Sequence, residues 1–265
     1  MLQSKKYIAA RAYFPRGLVQ PGKESEKGYR FSSDALLLGC FLESSPGDHL
    51  LDLGTGCGAV ALSMLCCYPG AGRAPDLHAV GIDIQPEYVA AANANAARLG
   101  FGQAFTALHG DIQAPNPATL PIAPSSFDLA LANPPYRQRD RGRHPPDPAR
   151  LLALFEQEET LAAFCRCAAY ALKTGGRFGV IFPALRRNDL LAQLSGAGLI
   201  SVRILHIHAH SDSPARVILV EAVKTEQNQS SIDEQALILH AEPQHGESSP
   251  LFSAAARVFC PFLAR

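Results

Sequence analysis

Short apolar runs alternate along this chain with longer stretches in which apolar positions return every three to four residues. The runs fall at residues 49–53 (HLLDL), 77–83 (LHAVGID), 104–108 (AFTAL), 127–132 (FDLALA), 177–182 (RFGVIF), 202–207 (VRILHI) and 215–223 (ARVILVEAV), which predicts seven strands. Helical periodicity covers 33–42, 59–67, 86–99, 155–172 and 189–196, the last four lying between consecutive strands. Such alternation predicts an α/β fold with a parallel sheet, because parallel neighbours need a crossover and a helix supplies it. Local signals agree. Pro86 suits a first helical turn, where its missing N–H costs nothing. Gly100 suits the C-cap of the same helix, and Ser32 or Ser33 suits the N-cap of the first.

Two connections are long, 114–126 (rich in Pro) and 136–150 (rich in Arg and Pro), and loops of that length in a compact domain usually carry function. After Val223 the chain turns polar (KTEQNQSSIDEQ), then offers one strand-like piece at 236–240 and one helix-like piece at 252–259. The expected organisation is a basic N-terminal segment, 1–30, a main domain, 31–224, and a C-terminal extension, 225–265, packed on or tethered to it.

Composition narrows the class. With 265 residues and 47% apolar residues the chain can bury a core and is not extensively disordered. Seven cysteines, an odd number without a C-x-x-C pair, do not make a disulfide scaffold or a zinc site, and they fit thiols in a reducing compartment. No N-terminal apolar core marks a secretory leader, and no stretch is long and apolar enough to span a membrane. A cytoplasmic protein is expected. The formal net charge is zero, which at first argues against a nucleic-acid partner.

Candidate chemistry begins at residues 50–59, LLDLGTGCGA: a strand, then Gly54, Gly56 and Gly58, then a helix. Glycines let the backbone turn sharply and bring its N–H groups close to a ligand at a helix N-terminus. Gly54-x-Gly56-x-x-Ala59 also satisfies the dinucleotide fingerprint. Asp52 argues otherwise, because a carboxylate there would repel a pyrophosphate and attract an ammonium group. Asp83, ending the next strand, has the acceptors for both hydroxyls of a ribose. Asp111, after the third strand, could accept from an adenine amino group. All three lie at the carboxyl edge, where such sheets bind ligands.

After the fourth strand comes Asn133-Pro134-Pro135-Tyr136. Consecutive prolines fix a rigid turn, which projects the Asn133 amide and the Pro134 carbonyl from the strand's end. Those two oxygens could accept both hydrogens of a planar amino group. Held off-plane, the nitrogen recovers the lone pair it had delocalised into a ring or carbonyl. Tyr136 offers a face on which a base can stack.

Together, DLGTGCG (52–58), Asp83, Asp111 and NPPY (133–136) resemble the class I, seven-stranded S-adenosylmethionine-dependent methyltransferases that act on exocyclic or amide nitrogen. GYRFSSDALLLGCF (28–41) and LKTGGRFGVIFPA (172–184) further resemble the bacterial tRNA(Val) adenine-N6 methyltransferases, which modify an adenine beside the anticodon. The resemblance implies a Rossmann-like, mostly parallel seven-stranded sheet with its last strand antiparallel and helices on both faces. It implies S-adenosylmethionine as cofactor, held by Arg30, Phe31, Asp34, Asp52, Gly54, Gly56, Asp83, Ile84, Asp111, Ile112 and Asn133. Catalysis is implied for Asn133, Pro134 and Tyr136, with direct in-line transfer of the methyl group, no metal and no strong general base. The implied substrate is the N6 amine of an adenine in RNA, a tRNA above all, which must leave its stack to be reached. Glutamine in a protein, guanine N2 in RNA, and a non-catalytic nucleotide-binding module are the alternatives. Relatives that methylate glutamine carry an extra N-terminal helical domain, for which the residues before the first helix leave no room.

Resolved by segment, the zero net charge is a cancellation. Residues 1–30 carry net +5 and residues 137–150 net +3, so the remainder carries −8. Both basic stretches adjoin the expected pocket in sequence, and Arg137, Arg139, Arg141 and Arg143 follow Tyr136 directly. A rim that tracks phosphates is the expectation. His206, His208 and His210 alternate on a strand-like run and are read as edge or loop residues, not as metal ligands.

Overall fold

In the computed structural model the described residues are 14, 17–21, 33–67, 76–114, 116–136, 159–226, 231–241 and 251–264. They build a sheet of eight strands: β1 Asp48–Leu53, β2 Leu77–Asp83, β3 Phe105–His109, β4 Phe127–Ala132, β5 Leu172–Pro183, β6 Leu199–His208, β7 Ala215–Lys224 and β8 Asp233–Ile238. The spatial order is β3-β2-β1-β4-β5-β7-β6-β8. β1 to β5 pair in parallel, and β7 is antiparallel to both its neighbours. Fold class and direction thus agree with the sequence, and the strand count rises from seven to eight. The addition is β8, from the tail, which pairs in parallel with β6 at the sheet's edge.

Among the described residues six α-helices accompany the sheet: α1 Ser33–Gly39, α2 Ala59–Cys67, α3 Pro86–Leu99, α4 Thr160–Ala171, α5 Arg187–Gly196 and α6 Ala254–Phe259. Alternation along the strands splits the core in two. Leu50, Ala79, Leu129, Leu131, Ile181 and Leu219 face one layer with α1, α2, α3 and α6. Leu51, Ile82, Ala130, Phe178, Val180, Phe182 and Ile218 face the other, with α4 and α5. The period of two on both faces is what a sheet covered twice requires. α2 is buried nearly all round, as expected of a helix without a polar stripe. Pro86 opens α3, and Gly100 closes it with its N–H on the carbonyls of Ala96 and Ala97.

The first helix ends at Gly39, not 42, residues 155–158 of the helix expected at 155–172 lie outside the described residues, and tertiary pairing extends a strand. β5 starts at Leu172, not 177, because Leu172 pairs with Phe127 across an irregularity in register. Among the described residues no helix is long and apolar enough to cross a membrane.

Candidate active site

The parallel strands direct the carboxyl ends of β1, β2, β3 and β4 to one edge, and a cleft of about 1060 Å³, its open mouth included, lies there. Gly54, Gly56, Asp83, Ile84, Asp111, Ile112 and Asn133 line it, which brings together seven of the residues expected at a cofactor. Arg30 and Phe31, and Arg137, Arg139, Arg141 and Arg143, lie outside the described residues.

The glycine loop is shaped from beneath. Gly54 adopts φ +68°, and a Cβ there would sit 3.1 Å from the Phe164 ring on α4, so both conformation and space favour glycine. Gly81 on β2 allows a second close approach, since a Cβ would fall 2.7 Å from Thr55. Thr55 donates to Asp52 Oδ2 at 2.8 Å, and the Ala61 N–H donates to the same oxygen at 3.2 Å. Asp52 is fully buried and is not part of the cleft wall. Oδ2 thereby ties strand, loop and helix together beneath the loop, while Asp52 Oδ1 has no partner among the described residues. Burial pushes the carboxyl up to about 7.

That shift sets a pH dependence. Because the folded value lies above the ordinary 3.8, the stability linked to the proton is full below that value and is lost as pH rises through about 7. Asp52→Asn mimics the protonated acid. Its melting temperature relative to wild type is expected to be higher at about pH 8 than at about pH 5, measured by thermal unfolding; an equal difference at both would refute the burial of a titrating carboxyl.

Asp83 sits at the hinge of two loops. Its Oδ2 accepts the Gly56 N–H at 2.8 Å and its Oδ1 the Gln85 N–H at 2.9 Å. Burial raises its pKa against the lowering effect of these two bonds. Each oxygen retains a lone pair toward the cleft, consistent with a diol partner. The Asp111 side chain accepts the Gln113 N–H at 2.8 Å, and its backbone carbonyl accepts the Ala114 N–H at 3.2 Å. Apolar walls from Ile84, Ile112 and Phe164 alternate with these carboxylates, the composition of a nucleoside pocket.

Asn133 and Pro135 line the cleft, with Pro134 between them in the chain. The Tyr136 hydroxyl donates to Asp34 Oδ2 at 3.0 Å, and its ring meets Phe182 edge-on with centroids 6.3 Å apart. Asp34, expected near the cofactor, is buried on α1, where it also receives Arg216 Nη2 from β7 at 3.1 Å. A buried carboxylate needs donors, and Tyr136 and Arg216 provide them. The triad fixes the end of the NPPY turn against α1 and β7.

Other wall residues carried no readable signal in sequence, among them Gln20, Thr55, Tyr88 and Phe164. Gln20 depends on Asn95, a buried polar residue inside α3. Asn95 bonds the backbone of Val19 in both directions and donates to the Cys57 carbonyl, which pins 17–21 to the glycine loop. The signal was an Asn on an apolar helix face. His206 bonds Glu234 of β8 at 2.8 Å and His208 the Ser213 carbonyl at 2.8 Å; both lie on β6, flanked by β7 and β8, and not at an edge or in a loop as expected.

Known proteins of similar sequence and fold are methyltransferases. A family model described as a methyltransferase domain matches residues 44–223. A tRNA1(Val) (adenine(37)-N6)-methyltransferase from Porphyromonas gingivalis is 31% identical over 196 residues, covering 72% of this chain and 73% of its own. One from Vibrio parahaemolyticus is 26% identical over 247 residues, covering 93% and 95%. A release factor glutamine methyltransferase from Cereibacter sphaeroides is 31% identical over 169 residues, covering 61% and 56%. The crystal structure of a predicted O-methyltransferase from Agrobacterium tumefaciens matches with TM-score 0.64 and 18% identity, over 86% of this chain and 95% of that one.

Proposed function

Since the chain belongs to the class I S-adenosylmethionine-dependent methyltransferases, we propose that it methylates the exocyclic N6 amine of an adenine in RNA, in a tRNA near the anticodon. The observation that carries this reading is the position of Asn133 on the wall of the same cleft as Gly56, Asp83 and Asp111. A planar-amine recognition group and a nucleoside-type pocket thereby share one cavity.

When bound, S-adenosylmethionine supplies an electrophilic methyl group on a sulfonium sulfur. Residues of the chain would do the rest. The amides of the glycine loop, Asp83 and Asp111 would hold the cofactor's polar groups, while Ile84, Ile112 and Phe164 exclude water from its adenine. The Asn133 side-chain oxygen and the Pro134 carbonyl would accept the two N–H bonds of the target amine and free its lone pair. Asp34 and Arg216 would act through Tyr136, by holding the turn that carries both acceptors.

Guanine and glutamine also present an NH2 group, and the glutamine methyltransferase relative shows that this fold serves the amide as well. The adenine reading is favoured by the relatives named as adenine methyltransferases, one of which aligns over nearly the whole chain. Incubation with methyl-labelled cofactor and undermodified total tRNA is expected to yield N6-methyladenosine; label confined to guanine or to protein would refute it.

The Arg-rich stretch after Tyr136 is assigned to the RNA backbone. Replacing Arg139, Arg141 and Arg143 together with Gln is expected to weaken RNA binding and to flatten the salt dependence of log K by about two to three units of slope. Titrations at several salt concentrations check this, and an unchanged slope would remove the stretch from the interface.

A further inference from the structure

Among the described residues Leu185 is the most exposed large apolar side chain, at 99%. A single exposed leucine is ordinary on a protein surface, so its place has to decide. It lies on the one-turn 3-10 helix Ala184–Arg186, set between Pro183 at the end of β5 and the first residue of α5. β5 neighbours β4, whose end carries the Asn133–Tyr136 turn. Phe182, three residues before Leu185, meets the Tyr136 ring edge-on, and the Arg186 guanidinium sits 4.9 Å over the Phe182 ring. Leu185 therefore projects into water at the end of β5, the strand next to the one that carries the Asn133–Tyr136 turn, on a turn braced by Pro183 and by the Arg186–Phe182 contact.

Cations flank it. Arg186 and Arg187 follow directly, and Arg216, whose side chain is 66% exposed, lies one residue from the Val217–Pro183 pair. Arg186 pairs with Asp189, and Arg187 with Glu234. Such partly exposed pairs are weak, so a phosphate can replace the carboxylate at little cost.

An adenine that is to reach Asn133 must leave its stack, which costs a few kcal/mol. An apolar side chain that fills the vacated space offsets part of that cost. It must be exposed in the free protein, firmly based, next to the pocket and flanked by positive charge. Resting on the RNA reading above, we infer that Leu185 enters the base stack where the target adenine leaves it and holds the extruded base in the cleft. It is a positioning residue, not a catalytic one.

The test uses the full chain, undermodified tRNA in which the wild-type target has been mapped, and a transcript with 2-aminopurine at that nucleotide. Leu185→Ala is expected to lower kcat/KM for tRNA by about tenfold or more and to abolish the rise in 2-aminopurine fluorescence that wild type produces. Leu185→Met, which keeps an apolar arm, should retain both. Affinity for S-adenosylmethionine and the melting temperature should stay at wild-type values in both variants. Wild-type turnover by Leu185→Ala, or lost turnover with the fluorescence rise intact, overturns the inference while leaving RNA methylation standing. If wild type methylates no adenine in RNA and acts on a glutamine-bearing protein instead, the parent reading falls, and this one with it.

Discussion

Replacing Asn133 with alanine is expected to lower turnover on RNA on the order of 100-fold, with affinity for S-adenosylmethionine within about twofold of wild type. The split follows from position. Asn133 stands at the end of β4, on the cleft wall, and its proposed contact is to the target amine, not to the cofactor. An acceptor fixed by the turn needs no reorganisation when charge develops on nitrogen, which is where such groups contribute most. Asn133→Asp keeps an acceptor but adds a charge, and it is expected to recover only part of the loss. Isothermal titration with the cofactor, beside single-turnover methylation, separates the two terms. Equal losses in affinity and turnover would place Asn133 at the cofactor alone.

The second large effect is expected at Asp83, and there it falls on the cofactor. Asp83→Ala removes the acceptor for both the Gly56 and the Gln85 N–H groups and leaves two donors without their partner. Bonds to an ionised acceptor contribute about 1.5–3 kcal/mol each, so the dissociation constant for S-adenosylmethionine should rise by about 10- to 100-fold or more. Asparagine is not a mild replacement here. Its amide has one acceptor oxygen, and its nitrogen would point at an N–H that needs an acceptor. Asp83→Asn is thus expected to bind the cofactor nearly as poorly as Asp83→Ala. Affinity close to wild type in the asparagine variant would contradict the two-loop role drawn from the bonds of Gly56 and Gln85.

Much of this site is legible in the sequence because short motifs fix local backbone. DLGTGCG can only be a strand that turns tightly into a helix, and NPPY can only be a rigid exit from a strand. The parallel β-α order then brings Gly56, Asp83, Asp111 and Asn133 to one edge without any further information. What the sequence could not show are choices made by burial. Whether Asp52 points out to a ligand or down to Thr55 and Ala61 depends on packing beneath the loop, where Gly81 opens space for Thr55. Asp34 and Tyr136 are 102 positions apart in the chain, and no local pattern pairs them. β8 was visible only as a strand-like piece in a polar tail. β8 itself forms the sheet's edge beside β6, and edge pairing leaves little trace in hydrophobic alternation, since only one residue of β8 is buried.

The same contrast applies to charge. Zero net charge excluded nothing about RNA, because the basic residues are concentrated in two stretches. The structure adds Arg186, over the Phe182 ring, and Arg216, on Asp34, two cations near Tyr136 that segment totals alone did not single out.

The measurement that bears most directly on adenine methylation is mass spectrometry of tRNA nucleosides from a strain lacking this protein, with and without complementation. N6-methyladenosine in the tRNA is expected to fall on deletion, to return with the wild-type chain, and to stay absent with Asn133→Ala. Unchanged N6-methyladenosine in the deletion strain, with the methyl group lost from a guanine or from a protein glutamine, would contradict it.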